Sequence, residues 1–306
     1  MALFEGTVPL RKSRVVSGFR MDCSIQIDGI QLYYTEQGTG APVILLIHGH
    51  PLNRTMWSPQ VEVLGSRCRV IVPDLRGYGK SGIAVGATET RLEQLAADNL
   101  ALMDGLGIEK FVLGGLSMGG QIALEIYRQA PKRIEALMLA DTFAGLDTPE
   151  RKQLRLVTAD RLEREGMAHY AREELTKMIR PSNAERQPGV AAHVMEMMLT
   201  TPPEGAAAAL RGRAHRVDYL PMLQDISVPT LVVVGRHDFY TPVALSEQLV
   251  ERIRGATLSV IEEAGHMPNL EEPAAFNTAV SSWLNGLSFF PPSNATTEHP
   301  RVGGKL

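Results

Sequence analysis

The chain has 306 residues, of which 44% are hydrophobic and 21% are charged. This is an ordinary composition for a soluble globular protein, and it excludes collagen-like, coiled-coil and wholly disordered chains. The length suits one large domain or a domain with a sizeable insertion. Since 31 Lys and Arg residues oppose 34 Asp and Glu residues, we expect no basic surface for nucleic acid or anionic lipid, and a small-molecule partner is favoured.

The beginning of the chain shows no targeting signal. Residues 1–20 lack the apolar stretch of about 7 to 15 residues that a secretory signal needs, and no run of about 18 apolar residues occurs in the sequence. We therefore expect a cytoplasmic protein without a membrane span. Cys23 and Cys68 form neither a disulfide framework nor a metal-binding pattern, so we expect two buried, reduced thiols.

Two short segments open the predicted fold. Residues 24–27 and 31–34 flank Asp28-Gly29, a dipeptide that supplies the positive φ of a tight turn. The pattern predicts an antiparallel hairpin at this point of the chain.

The next segments have the composition of strands that are covered on both faces. They are short and continuously apolar, which is typical of parallel sheets, and helical patterns such as 121–129 and 245–253 lie between several of them. This alternation predicts an α/β fold with a doubly wound, mostly parallel sheet. The predicted strands are 43–47, 70–72, 111–113, 136–139, 231–234 and 258–261.

The alternation stops between residues 142 and 225, which show helical periodicity. We expect an inserted helical cap here, between a first core part, 21–141, and a second, 226–288. Such a cap would lie above the carboxyl ends of the strands, where ligands bind in open α/β sheets. Residues 1–20 and 289–306 are predicted tails. The predicted cap helices are 150–165, 167–179, 190–200 and 203–213.

The strongest chemical motif is Gly115-Leu116-Ser117-Met118-Gly119, between a predicted strand and a predicted helix. In that context it predicts a nucleophile elbow, a sharp turn that exposes the serine hydroxyl and needs small neighbours. The two outer glycines meet that need. The turn also places Ser117 at a helix N-terminus, where backbone N–H groups favour developing negative charge.

A serine nucleophile needs a base, and the base needs an orienting carboxylate. Asp238 follows the strand 231–234, and His266 follows the strand 258–261. We therefore predict Ser117 as the nucleophile, His266 as the base and Asp238 as the acid. Asp141, which ends the strand 136–140, is the alternative acid.

These motifs resemble those of the α/β-hydrolase superfamily from about residue 25 to 287. Residues 48–51, His-Gly-His-Pro, are similar to the family's HGxP oxyanion segment, and residues 73–81 resemble its PD-x-RG-x-G-x-S loop. The resemblance implies an oxyanion hole formed by the backbone N–H groups of His50 and Met118. Candidates for the wall of the substrate pocket are Leu116, Phe143 and Met267.

The remaining histidines have less specific interpretations. We expect the side chain of His48 to hold the oxyanion loop and His237 to belong to a local loop. His50 is ambiguous, because its side chain could also face the pocket. Surface or packing roles are expected for His169, His193 and His215.

The resemblance implies a serine hydrolase that cleaves small, uncharged or weakly charged carboxylic esters through an acyl-enzyme intermediate. The sequence has no phosphate-binding glycine loop and no metal-ligand spacing, so no cofactor or metal is expected. Similar families include enol-lactonases, C–C bond hydrolases of aromatic degradation and cofactor-free haloperoxidases or perhydrolases. A ligand-sensing protein with little turnover is the non-enzymatic alternative. An enol-lactonase must hold a carboxylate, and the candidate cap arginines, which we expect to face solvent, are Arg155, Arg161, Arg211 and Arg213.

Overall fold

The computed structural model describes residues 21–290, which form an eight-stranded sheet with helices around it. The predicted tail 1–20, and residues 291–306 of the other predicted tail, lie outside the described residues. The strands are β1 Met21–Ile27, β2 Ile30–Gln37, β3 Val43–Ile47, β4 Arg69–Pro73, β5 Phe111–Leu116, β6 Ile134–Ala140, β7 Thr230–Gly235 and β8 Thr257–Ile261. The α-helices are α1 Ser58–Leu64, α2 Leu92–Gly105, α3 Met118–Gln129, α4 Pro149–Glu165, α5 Met167–Met178, α6 Pro181–Arg186, α7 Pro188–Thr200, α8 Pro203–Ala214, α9 Val243–Arg252, α10 Pro268–Glu271 and α11 Pro273–Asn285.

The strand order is β1-β2-β4-β3-β5-β6-β7-β8. Strands β3 to β8 are parallel. The opening hairpin turns at Asp28 and Gly29, both with positive φ, and joins the sheet where β2 pairs antiparallel with β4. The predicted mostly parallel sheet with an opening hairpin is confirmed. The pairing of β2 with β4 has no sequence signal of its own.

Successive residues of the parallel strands pack into different hydrophobic clusters. In β3, Ile44 and Leu46 belong to one cluster, and Leu45 and Ile47 belong to the other. Both faces of the strand are therefore covered, which explains its continuously apolar sequence. Because the strands are parallel, the loops after β3, β5, β6, β7 and β8 all leave the same edge of the sheet.

Five helices, α4 to α8, lie between β6 and β7. Four of them match the predicted helices, and α6 is additional because its short polar sequence carries no apolar periodicity. Helix α4 packs against α8, and the Ala208 carbonyl of α8 accepts a 2.9 Å hydrogen bond from the Thr90 N–H in the segment before α2. These helices have a small core of their own, which contains Ala159, Leu162, Met167, Tyr170, Ala206, Ala207 and Leu210.

Within residues 21–290, none of the helices combines the length and the hydropathy needed to cross a bilayer. Cys23 and Cys68 are both free thiols. Cys68 is buried as predicted, whereas Cys23 is only partly buried because it lies on the edge strand β1.

The turn between β5 and α3 depends on two close backbone contacts. A Cβ atom on Gly115 would lie 2.1 Å from the carbonyl oxygen of Gly119, and one on Gly119 would lie 2.2 Å from the carbonyl oxygen of Ile47. Both oxygens belong to the backbone and cannot rotate away. Glycine at both positions therefore lets the start of α3 approach β3, as the motif requires.

We expect Gly119→Ala to lower the free energy of unfolding by about 2 kcal/mol or more, because the added Cβ would push α3 away from β3. Urea unfolding at equilibrium measures this change. Gly189→Ala in α7 is the matched control, because a Cβ there meets no atom within 4 Å. The control variant should be as stable as the wild type or slightly more stable, and equal stability of the two variants would contradict the steric argument.

Candidate active site

Ser117 lies where β5 ends and α3 begins, with φ 57° and ψ −117°. A non-glycine residue with positive φ is uncommon and must be held by its surroundings. The Ser117 N–H donates to the Ala140 carbonyl at 2.9 Å, and the Thr142 hydroxyl donates to the Ser117 carbonyl at 2.7 Å. Both partners lie at or after the end of β6, so the turn is anchored to the neighbouring strand.

Asp238 and His266 lie on loops that follow the adjacent parallel strands β7 and β8. The Nδ1 atom of His266 is 2.8 Å from Oδ2 of Asp238, and both residues are buried. His266 and Ser117 line one cavity. The structure therefore brings the three predicted triad residues to one place at the carboxyl edge of the sheet.

Four hydrogen-bond donors surround the Asp238 carboxylate. Its Oδ1 accepts from the backbone N–H groups of Tyr240 at 2.7 Å and Thr241 at 3.1 Å, and its Oδ2 accepts from the Thr241 hydroxyl and from His266. Burial raises the pKa of Asp238, but the attraction to His266 and these hydrogen bonds outweigh it and leave the pKa lowered. Asp238 is therefore the ionised partner of His266.

Asp141, the alternative acid, lies close to this pair but differs in its partners. Its Oδ1 accepts from the Gly235 N–H at 2.9 Å, whereas its Oδ2 has no hydrogen-bond partner among the described residues. Burial, and then the nearby charge of Asp238, raise the pKa of Asp141 well above its usual range. Two carboxyl groups this close do not both ionise, so the proton resides on Asp141.

The spacing of these side chains would also suit a cation, because one ligand atom each from Asp141, Asp238 and His266 lies within 4.8 Å of the others. However, the four donors around Asp238 already use the lone pairs that a metal ion would need. The residues present fit an oriented imidazole better than a metal centre.

The loop after β3 lies beside the serine, since a Cβ on Gly49 would be 3.2 Å from the Ser117 Cβ. His48 fixes this loop. Its Nδ1 atom donates to the Gly49 carbonyl at 2.8 Å, and its Nε2 atom accepts from the Leu75 N–H at 2.9 Å. Because burial lowers the pKa of His48 to about 4, the ring is neutral at pH 7 and keeps the tautomer that both bonds require.

The two predicted oxyanion donors have free backbone N–H groups. Within residues 21–290, neither the His50 N–H nor the Met118 N–H donates to a protein acceptor. The His50 side chain also faces the cavity, with Nδ1 2.8 Å from the Tyr78 hydroxyl and Nε2 3.4 Å from the Tyr170 hydroxyl. Burial, and then the charge of Arg213, lower the pKa of His50 well below its usual value, so the imidazole is neutral.

The cavity at Ser117 is small and continues into a wider cleft. The inner cavity measures about 70 Å³. The outer cleft measures about 510 Å³, and exposed Leu154 and Phe239 lie along it. The residues that line both spaces are Arg151, Arg155, Tyr170, Glu174, Leu210 and Tyr240.

The predicted pocket residues differ in placement. Phe143 lines the inner cavity. Leu116 and Met267 are completely buried in the hydrophobic core and are not among the residues that line it. These two side chains lie next to Ser117 and His266 in the chain, but they pack into the hydrophobic cluster on one face of the sheet. The histidines that lie outside the cavity lining are His48, His169, His193, His215 and His237.

The expectation that the cap arginines face solvent is wrong for Arg155 and Arg213, which are buried and line the inner cavity. Arg161 and Arg211 form ion pairs outside the lining. Six further polar residues of the lining were not predicted, because no motif marks side chains contributed by separate helices and loops. They are Thr142, Arg151, Tyr170, Glu174, Tyr240 and Thr241.

Asp147 neutralises part of the positive charge of an arginine cluster beside the cavity. The cluster consists of Arg151, Arg155, Arg213 and Arg216. Asp147 lies 2.7 Å from Arg155, 2.6 Å from Arg216 and 3.6 Å from Arg151, and its side chain is 3% exposed. Burial raises the pKa of Asp147, but the hydrogen bonds from Arg155 and Arg216 outweigh it and hold the pKa well below its usual range.

Comparison with known proteins identifies the family of the chain. The family model described as "alpha/beta hydrolase fold" matches residues 42–273. The chain belongs to the α/β-hydrolase family. The matched segment contains Ser117, Asp238 and His266, and it spans the sheet from just before β3 to beyond β8.

Relatives in this family include lactone and ester hydrolases. A 3-oxoadipate enol-lactonase of Acinetobacter baylyi is 31% identical over 86% of this chain and 97% of its own length. The structure of a thermophilic esterase from Thermogutta terrifontis, with malate bound, is 39% identical with a TM-score of 0.82 over 88% of this chain and 99% of that one. An enol-lactonase structure from Burkholderia xenovorans is 32% identical with a TM-score of 0.80 over 86% of this chain and 100% of that one.

We expect Asp147→Asn to lower the free energy of unfolding by about 3 kcal/mol at pH 7, because buried arginines lose their counter-ion. The pKa of Asp147 in the folded state lies below the unfolded value of about 3.9. Its contribution is therefore complete above that value and is lost as the pH falls through the folded pKa. Urea unfolding from pH 7 to pH 3 should show the difference between variant and wild type shrinking below about pH 4.

Asp160→Asn is the matched control, because Asp160 is 67% exposed and pairs with Arg211 at the surface. Its expected cost is below about 1 kcal/mol. A loss from Asp147→Asn as small as that of the control would show that Asp147 does not neutralise the cluster.

Proposed function

We propose that this α/β-hydrolase is a serine hydrolase that cleaves small carboxylic esters through an acyl-enzyme intermediate. One observation carries the proposal: the buried His266–Asp238 pair, joined at 2.8 Å, faces the cavity that Ser117 also lines. An oriented imidazole beside a serine on a sharp turn is the arrangement that activates a hydroxyl for attack on a carbonyl.

In the proposed reaction, the Ser117 hydroxyl oxygen attacks the ester carbonyl while Nε2 of His266 accepts its proton. The tetrahedral intermediate breaks down, His266 protonates the leaving alcohol, and the acyl group stays on Ser117. A water molecule, deprotonated by His266, then releases the carboxylic acid and restores the serine. Asp238 holds the imidazole in the required tautomer and stabilises its protonated form.

We assign the oxyanion hole to the backbone N–H groups of His50 and Met118. Both lack a protein acceptor and belong to the two loops that meet at Ser117. Donors aimed at the charge that develops in the transition state contribute about 3 kcal/mol each. Because they are backbone groups, substituting either side chain need not remove them.

In this proposal residues 142–225 act as a cap over the core formed by residues 21–141 and 226–288. Helices α4, α5 and α8 contribute Arg151, Tyr170 and Arg213, respectively, to the inner cavity. The volume of about 70 Å³ at the serine favours a small group at the reacting carbonyl. A longer acyl or alcohol chain would extend into the outer cleft, which has apolar side chains along it.

A lactone is the second candidate substrate. Opening a lactone requires the same attack by Ser117, except that the alcohol stays attached to the acyl group. The enol-lactonases of Acinetobacter baylyi and Burkholderia xenovorans favour this candidate, since each matches 86% of this chain at 31% and 32% identity.

We expect the wild-type protein to hydrolyse p-nitrophenyl esters, from acetate to laurate, with multiple turnovers and a maximum at one chain length. Ser117→Ala and His266→Ala should each lower kcat by more than about 10⁴-fold, with an unchanged circular dichroism spectrum. His237→Ala is the matched control, because this exposed neighbour of Asp238 lies outside the cavity, and it should keep wild-type activity.

Wild-type turnover by Ser117→Ala would refute the assignment of the nucleophile. A wild-type protein that an organophosphonate labels at Ser117, but that turns over no ester or lactone, would instead support the ligand-sensing alternative.

We expect Asp238→Asn to lower kcat by about 10³- to 10⁴-fold, because an amide at this position favours the wrong imidazole tautomer. Asp141→Asn should stay within about tenfold of the wild type, because the raised pKa of Asp141 makes it neutral and an amide preserves that state. Steady-state kinetics at pH 7 measure both. The opposite ranking would assign the acid role to Asp141.

A further inference from the structure

The described part of the chain contains five buried arginines, and four of them have a carboxylate partner. Arg213 is the exception. Its Nε donates to the Gln121 side-chain oxygen at 3.1 Å, and no carboxylate of the described residues lies within 4.0 Å. The partnered arginines and their acids are Arg54 with Asp74, Arg76 with Asp98, and both Arg155 and Arg216 with Asp147.

A buried cation without a counter-ion is unfavourable, and the surroundings of Arg213 make it more so. Burial, and then the positive charges of Arg155 and Arg216, lower the pKa of Arg213 well below its usual value. Asp147, the acid of this cluster, already accepts hydrogen bonds from Arg155 and Arg216. The fold therefore maintains a guanidinium group that protein acids do not neutralise.

This unneutralised group borders the cavity of the proposed triad. Arg213 lines the inner cavity together with Ser117 and His266, and so do Arg151 and Arg155. Two acids line the cavity as well, but neither is free to balance the arginines. Glu174 is bound by Lys177 at 2.6 Å and by the Tyr240 hydroxyl, and the pKa of Asp141 is raised well above its usual range.

We propose that Arg213 binds a carboxylate of the substrate inside the catalytic cavity. The two terminal nitrogens of Arg213 donate to no described acceptor, and a guanidinium binds a carboxylate through two parallel hydrogen bonds. The inference rests on the proposed function and narrows it to a substrate class. That class is esters of short dicarboxylic acids that keep one free carboxylate, with any longer group extending into the outer cleft.

A purely structural role for Arg213, as the partner of Gln121, gives different expectations. In that case its replacement would destabilise the protein and affect charged and neutral substrates equally. A substrate-binding role requires the effect to depend on the charge of the substrate. Because an unpaired buried charge is removed, the variant should then be at least as stable as the wild type.

The kinetic test compares methyl hydrogen succinate with methyl succinamate, its neutral analogue of nearly the same shape. We expect the wild type to prefer the charged ester by at least about tenfold in kcat/KM, and Arg213→Met to lower kcat/KM for it by about 10- to 100-fold, mainly through KM. The neutral ester should change by less than about threefold. Arg213→Lys should restore part of the preference.

Arg211→Met is the matched control. Arg211 lies on the same helix, but it pairs with Asp160 and Glu163 outside the cavity, so its removal should leave both substrates unaffected. An equal loss on both substrates in Arg213→Met, or no preference in the wild type, would overturn the inference. Cleavage of the neutral ester would in either case leave the proposed function standing.

A binding measurement tests the proposed anion site independently of turnover. In the Ser117→Ala background, methyl hydrogen succinate should bind and raise the melting temperature, methyl succinamate should not, and adding Arg213→Met should abolish binding of the charged ester. A wild type that cleaves neither ester, but whose Ser117→Ala form binds the charged one through Arg213, would refute the hydrolase proposal alone. Binding that persists without Arg213, or no binding at all, would refute the anion site.

Discussion

Ser117, the proposed nucleophile, takes its position from a backbone contact between α3 and β3. A side chain at Gly119 would collide with the Ile47 carbonyl, so the helix can start this close to the strand only with glycine there. Ser117 then adopts φ 57° at the tip of the turn, and hydrogen bonds to the end of β6 hold it. The loop that begins at His48 passes beside the same turn. One steric constraint therefore brings the nucleophile and both proposed oxyanion donors together.

The charged residues on the helices above the sheet are balanced less completely than those of the proposed triad. Around Asp238, four donors satisfy one carboxylate, and the neighbouring Asp141 remains protonated. Around Asp147, arginines outnumber the acid, and Arg213 remains without a carboxylate. Such an excess lowers stability, because a buried charge needs a partner. Proteins retain costs of this kind at functional sites, and the location of Arg213 in the cavity that Ser117 lines agrees with that pattern.

The sequence predicted the residues of the proposed triad better than the residues that line the cavity. Ser117, Asp238 and His266 each follow an apolar strand, and parallel strands must end at one edge, so pattern and spacing were enough to place them together. Phe143 was also predicted and lines the cavity, whereas Leu116 and Met267 are buried in the core. Direct neighbours of a catalytic residue can point away from it, and a linear pattern does not record that direction.

The sequence by itself determined the fold class, the order of strands and helices along the chain, and the three residues proposed as a triad, because each depends on local periodicity or on glycine at a sharp turn. Tertiary structure alone decided which arginines are buried and how small the cavity is. Arg213 and Arg211 lie two residues apart on α8, yet one lines the cavity and the other pairs at the surface. Their difference arises from the packing of α8 against α4 and α2, and contacts between distant segments have no signature in a single sequence.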